Sequence, residues 1–145
     1  MSSLVVVLDP GHGGSDPGTQ ANGVVEKTVN LKIAQYCQAE LEEYAGVTVY
    51  MTRKDDTYLS LAQRAQVAIN KKANVFVSLH NNANTSPIPN GASVYYPNSS
   101  YNANCGATGQ ALASVILSKL TALGLASKGI LIRNSENGTK YPDGS

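Results

Sequence analysis

Two histidines, His12 and His80, are the only imidazoles in 145 residues, and each closes a short apolar run. Leu4-Val5-Val6-Val7-Leu8 leads through Asp9-Pro10-Gly11 to His12, and Val75-Phe76-Val77-Ser78-Leu79 leads to His80. In α/β proteins with a parallel sheet, ligands bind outside the carboxyl ends of the strands, so two neighbouring strands would aim both imidazoles into one crevice. That placement predicts a metal-binding enzyme site; the alternative is two unrelated polar residues at loop entries. Glu26 stands just ahead of a helical pattern. Its carboxylate either stabilises the positive end of the helix dipole or projects from the loop beside the imidazoles. Two neutral imidazoles and one carboxylate form a recurrent catalytic zinc set, in which the fourth position is left to water. Metal in such a site acidifies water and polarises a carbonyl.

Asp9-Pro10-Gly11-His12-Gly13-Gly14 supplies a loop whose glycines permit close backbone approach. It lacks both the Walker spacing and a complete Gly-x-Gly-x-x-Gly fingerprint, which argues against nucleotide binding. Other polar residues have weaker signals. Arg64, on a helical pattern, is a candidate for a substrate carboxylate or for a structural pair. Asn82, two residues beyond His80, is a candidate substrate donor or a loop cap. Tyr95, Tyr96, Tyr101 and Asn98 cluster around a polar loop, where they either contact sugar or pack.

These residues need strands and helices to hold them. Five runs read as strands, 4–8, 47–51, 75–79, 92–96 and 130–132, most of them β-branched or aromatic. After Thr28 as N-cap, Val29, Ile33, Cys37, Leu41 and Tyr44 form one apolar face before Gly46 ends the helix. Ser60 opens a second helix with Leu61, Ala65, Ala68 and Ile69 on its face. Leu112, Val115, Ile116, Leu120 and Leu123 define a third, stopped by Gly124. The alternation predicts a single α/β domain: a mostly parallel or mixed, twisted sheet of these strands flanked by helices. Segments 81–91 and 97–106, rich in Asn, Ser, Pro and Gly, read as surface loops.

A chain of this length suits one domain. Apolar content of 42% with 14% charged residues describes a globular composition, and a net charge of +1 gives no reason to expect nucleic acid or an anionic membrane as partner. No apolar run approaches the ~18 residues that span a bilayer, and Met1-Ser2-Ser3 carries no signal-peptide pattern. Cys37 and Cys105 are expected to be unbridged, with Cys37 packing as a small hydrophobe.

Taken in order, Leu8-Asp9-Pro10-Gly11-His12-Gly13-Gly14, Asp16-Pro17-Gly18, Glu26, Thr52-Arg53, Arg64, Ser78-Leu79-His80-Asn81-Asn82-Ala83 and Gly91-Ala92-Ser93-Val94-Tyr95-Tyr96 closely resemble the zinc-dependent N-acetylmuramoyl-L-alanine amidases that cut bacterial peptidoglycan. The likeness covers nearly the whole chain. It implies that His12, Glu26 and His80 are the three zinc ligands. It also implies hydrolysis of the amide joining the lactyl group of N-acetylmuramic acid to L-alanine of the stem peptide. The site of action would be the cell wall, as a bacterial autolysin or phage endolysin working outside the cell or on lysis.

One departure bears on activity. The family carries a late Pro-x-x-Leu-x-Glu-type segment whose glutamate is the general base, whereas this sequence ends at Tyr141-Pro142-Asp143-Gly144-Ser145. The resemblance therefore reads residues 1–145 as an amidase catalytic domain lacking a C-terminal strand and helix, with one strand fewer in its sheet. Neither Asp16 nor Glu136 takes over the base by spacing, and the catalytic base is left unassigned. Loss of a positioned acid/base costs roughly 10²–10⁴ in rate, so impaired activity is expected. An exposed sheet edge would favour association, and the oligomeric state stays open. Two other readings remain: a zinc-containing peptidoglycan-binding module without catalysis, and another zinc hydrolase acting on peptide carboxyl groups. The second would cleave free stem peptides.

Overall fold

Why Leu4–Pro10 becomes a central strand is visible in its burial. In the computed structural model, which describes residues 3–82, 90–98 and 103–132, Val6, Val7 and Leu8 are almost wholly inaccessible. A strand covered on both faces loses its alternation and reads as a continuous apolar run. The chain falls into two compact units, Met1–Ala83 and Asn84–Ser145.

In the first unit, β1 (Leu4–Pro10) lies between two parallel neighbours. A short antiparallel hairpin follows, β2 (Gln20–Ala21) and β3 (Val24–Val25). Next come helix α1 (Glu26–Glu42), strand β4 (Val47–Met51), helix α2 (Leu61–Lys71) and strand β5 (Val75–Leu79). Leu4 to Leu8 pair with Val47 to Met51, and Val6 to Pro10 pair with Val75 to Leu79. Val6, Leu8, Ala34, Val49 and Met51 form the core, and Leu31, Cys37, Leu41, Val75, Val77 and Leu79 pack against it. Cys37 thus takes the apolar role expected of it, and burial pushes its thiol up from the ordinary range.

The boundaries of α1 differ from the sequence reading. The helix starts at Glu26 and not after Thr28, with Val25 in the cap position and no side-chain cap. Its first amides need none: Glu26 N–H donates to Thr19 O (2.9 Å) and Lys27 N–H to Pro17 O (3.2 Å), so the preceding loop satisfies donors that a cap would otherwise take. The buried face is rotated by one position, onto Glu26, Asn30 and Ala34, while Ile33 and Tyr44 are exposed. In α2 Ser60 caps as expected, its Oγ accepting from Gln63 N while Gln63 Oε1 accepts from Ser60 N. Yet Leu61 and Ile69 face outward, and the buried residue is Arg64. The β2–β3 hairpin, absent from the sequence reading, turns at Asn22-Gly23, both at positive φ (51° and 76°). That is the pattern of a two-residue type I′ turn, which Asn-Gly favours.

In the second unit β6 (Ala92–Tyr95) runs parallel to β7 (Ser127–Leu131), joined through α3 (Ala103–Ala122). β7 begins three residues before the expected run at 130, and it accommodates an extra residue where the register shifts between Ala92 and Val94 of β6. Helix α3 absorbs 103–106, which the sequence placed in a loop. Gly106 and Ala113 of α3 are buried, whereas Val115, and Leu123 just after the helix, are exposed. The parallel α/β class is as expected, with the five main strands drawn as sheets of three and two. Tyr101, Glu136, Ala83 and the terminal 141–145 lie outside the described residues.

Candidate metal centre

The register of β1 on β5 decides where the two histidines go. Pro10 pairs with Leu79, and Gly11 N–H donates to Leu79 O at 2.9 Å, so the chain leaves both strands side by side. A Cβ at Gly11 would overlap the His80 imidazole, which only glycine's bare Cα permits. Glu26 reaches the same place from the first turn of α1. Its Oε1 lies 3.2 Å from His12 Nε2 and 3.2 Å from His80 Nδ1. The two rings stand edge to face, with centroids 4.8 Å apart and planes at 84°.

Three candidate ligand atoms, one from each of His12, Glu26 and His80, all lie within 4.8 Å of one another. Ligands about 2.0–2.2 Å from a tetrahedral zinc stand about 3.3–3.5 Å apart, so the two 3.2 Å separations are near the edges of such a tetrahedron. Donor chemistry also fits, because imidazole nitrogen and carboxylate oxygen are both zinc ligands. Burial pushes the Glu26 carboxyl up, but hydrogen bonds from the N–H groups of Thr19 (2.8 Å to Oε2) and Asn81 (2.8 Å to Oε1) outweigh it, aided by His12. The net result holds Glu26 at about 2, an ionised carboxylate almost fully out of solvent.

The surrounding loop is fixed by cations on backbone carbonyls. Arg53, itself buried, donates to Pro10 O (2.9 Å), Gly11 O (3.0 Å) and Lys27 O (2.8 Å). Arg64 donates to Asp9 Oδ1 (2.8 Å), Pro10 O (2.9 Å), His12 O (2.8 Å) and Leu59 O (3.0 Å). Lys27 Nζ bonds Gly14 O (2.8 Å) and Asp56 Oδ2 (2.7 Å). Together they hold His12 at φ 62°, a left-handed conformation that costs a side-chain-bearing residue about 1–2 kcal/mol. Asn30, wholly buried, donates to Gly11 O (3.2 Å) and accepts from Asn81 Nδ2 (2.7 Å). Asp16 Oδ2 lies 2.8 Å from His12 Nδ1, and this bond, followed by the Gly18 N–H, lowers the Asp16 carboxyl from its ordinary value.

Over residues 6–138 this chain matches the family model described as N-acetylmuramoyl-L-alanine amidase. It belongs to that family. The chain is 40% identical over 126 residues to N-acetylmuramoyl-L-alanine amidase LytC of Bacillus subtilis (strain 168), covering 86% of itself and 24% of LytC. It is 46% identical over 79 residues to the sporulation-specific N-acetylmuramoyl-L-alanine amidase of the same organism, covering 54% of itself and 31% of that relative. It thus spans about a quarter of LytC. The solved catalytic domain of CwlV, an N-acetylmuramoyl-L-alanine amidase from Bacillus (Paenibacillus) polymyxa var. colistinus, shares its fold at a TM-score of 0.79 and 38% identity. That match covers 94% of this chain and 75% of the other. Cwp6 from Clostridium difficile matches at a TM-score of 0.83 and 34% identity, over 98% of this chain and 22% of that one.

Of the residues singled out in the sequence, the fold gathers His12, Glu26, His80 and Asn82 at one end of the first sheet. Asn82 lines a depression of about 140 Å³ with Thr19, Ala21, Val24, Glu26, Val29 and Asn81. Arg64 is drawn elsewhere. Its guanidinium turns inward to Asp9 and three carbonyls, which holds the loop around His12 and corresponds to the structural pair that the sequence allowed beside a substrate contact. Tyr95 and Tyr96 belong to the second unit, where Tyr96 N–H bonds Leu131 O at 3.0 Å. Asp16, Asn30, Asn81, Thr19 and Arg53 were not anticipated as partners of the site. Asn30 had a usable signal: it lies four residues after Glu26, on the same helix face. No helix among the described residues is long and apolar enough to cross a membrane.

Proposed function

We propose that this chain hydrolyses the amide between the lactyl group of N-acetylmuramic acid and L-alanine in bacterial peptidoglycan, using zinc held by His12, Glu26 and His80. The observation that carries the reading is Glu26 Oε1 set between His12 Nε2 and His80 Nδ1 at 3.2 Å from each. When bound, zinc supplies Lewis acidity, acidifying a water and polarising the scissile carbonyl. The protein's own part is to keep three ligands converged. Glu26 stays ionised through its two backbone donors, and Arg53 and Arg64 fix the carbonyls on either side of His12.

The depression beside Glu26 suits the peptide side of the bond. Ala21, Val24 and Val29 offer apolar surface for the alanyl methyl group, and the Asn82 amide would bond peptide backbone. Among the described residues no aromatic face lines it, as a sugar ring would favour. Action on the cell wall follows from this substrate.

The test is zinc content by elemental mass spectrometry together with release of stem peptide from purified peptidoglycan. About one zinc per chain, lost in His12→Ala, Glu26→Ala and His80→Ala, with peptide release by the parent chain, is the expected result. Zinc and wall binding without release would replace this reading with the binding-module one, and cleavage of free stem peptides would replace it with a general peptidase.

A further inference from the structure

A metal ligand imidazole must present a bare nitrogen, and a neutral imidazole carries its one hydrogen on either Nδ1 or Nε2. At His12 the choice is made by a neighbour. Ionised carboxylates, which only accept, face both ring nitrogens, but Asp16 Oδ2 stands 2.8 Å from Nδ1 against 3.2 Å from Glu26 Oε1 to Nε2, so the shorter contact draws the single hydrogen to Nδ1 and leaves Nε2 for a metal ion beside Glu26. The Asp16 carboxylate is itself anchored without His12. Its Oδ1 accepts from Gly18 N–H at 3.0 Å, and its backbone pairs with Gly13 in both directions at 2.9 and 3.0 Å.

We infer that Asp16 is the positioning residue of this site: it selects the His12 tautomer that leaves Nε2 free for a metal ion, and it fixes the plane of the ring. A purely structural role fits the geometry less well. Asp16 is 45% exposed on its side chain, so solvent competes for its bond to the imidazole and leaves that bond little weight in folding. What it controls is the direction of one lone pair. Gly18 closes the other side of the ring: at φ 64°, a Cβ there would press on His12 Cδ2 and on Glu26 Oε2. The imidazole is thereby gripped between Asp16 and the Gly18 backbone.

The inference rests on the metal reading given above, and its test separates the two. In Asp16→Asn the side chain keeps its shape, but its amide N–H can donate to Nδ1 and move the ring hydrogen to Nε2. The chain has only two histidines, so ring ¹⁵N shifts of the metal-free protein, assigned with His80→Ala, read the His12 tautomer directly. Zinc affinity by chelator competition and the urea midpoint are measured alongside. Asp16→Asn is expected to leave the midpoint unchanged, to lose the Nδ1–H form and to weaken zinc binding about 10–100-fold, the range for lost partners of ligating imidazoles. Asp16→Ala should weaken zinc similarly, with both tautomers present. Zinc affinity within about twofold of the parent in both variants, or an unchanged Nδ1–H tautomer in Asp16→Asn, overturns the inference. If the parent chain takes up no zinc, the metal reading falls, and the ring nitrogens alone decide the role of Asp16.

Discussion

Replacing Arg64 with alanine should unfold part of the first unit's framework before it affects any substrate. The guanidinium and the Asp9 carboxylate are 6% and 5% exposed on their side chains, and they meet at 2.8 Å. Truncating one member of such a pair leaves a buried charge and costs about 3–5 kcal/mol. Two hydroxyls remain on Asp9, from Thr52 (2.6 Å) and Ser78 (2.8 Å), which puts the electrostatic loss near the lower bound, about 3 kcal/mol. The carbonyls of Pro10 and His12 also lose a donor, adding about 1 kcal/mol in all once water compensates. A total of about 4 kcal/mol is a large part of the roughly 5–15 kcal/mol that holds a domain folded. With a urea slope of about 2 kcal/mol/M, the midpoint falls by about 2 M, read by far-ultraviolet circular dichroism. Arg64→Met combined with Asp9→Asn should recover more than half of that loss, since no charge is then left unpaired. If Arg64→Ala shifts the midpoint by less than about 0.3 M while KM on peptidoglycan fragments rises, Arg64 faces substrate and the assignment is wrong.

Three further outcomes follow from the same geometry. Gly18→Ala forces a left-handed conformation, at about 1–2 kcal/mol, and a methyl group against His12 and Glu26, so zinc affinity should drop at least tenfold by chelator competition; unchanged affinity would show that the ring is not gripped there. Asp56, bonded first by Lys27 and then by Gly14 N–H, titrates below its ordinary value of 3.8. A lowered carboxyl stabilises the fold above the unfolded-state pKa and loses that contribution as pH falls below it. Lys27→Met should therefore raise the Asp56 titration seen by carbon NMR and weaken the acid dependence of stability contributed by this pair. Val24→Trp, at the hairpin edge of the depression beside Glu26, should fill it and raise KM for peptidoglycan fragments with zinc content unchanged; an unaltered KM removes the peptide from that position.

The sequence alone determined the five main strands and the parallel α/β class, and it singled out the three residues that the fold brings together as a candidate metal centre. Those features are written locally. Continuous β-branched runs such as Val5-Val6-Val7 can be buried only between neighbours, and histidines following two such runs must leave the sheet at its carboxyl ends. Tertiary structure decided what lies between those points. Residues 17–19 satisfy the first amides of α1, which moved its start from Thr28 to Glu26 and turned Glu26, Asn30 and Ala34 inward. Periodicity cannot register an amide satisfied by a distant loop. The same limit explains Arg64. An arginine among alanines reads as a surface residue, and only the placement of Asp9, fifty-five positions earlier, draws it inside. Asp16 stands four residues after His12 in a turn, a spacing that carries no meaning until the turn folds and brings its carboxylate onto Nδ1. Residue types that bind metal are legible one by one, whereas the partners that orient them depend on hydrogen bonds that only the closed chain can make.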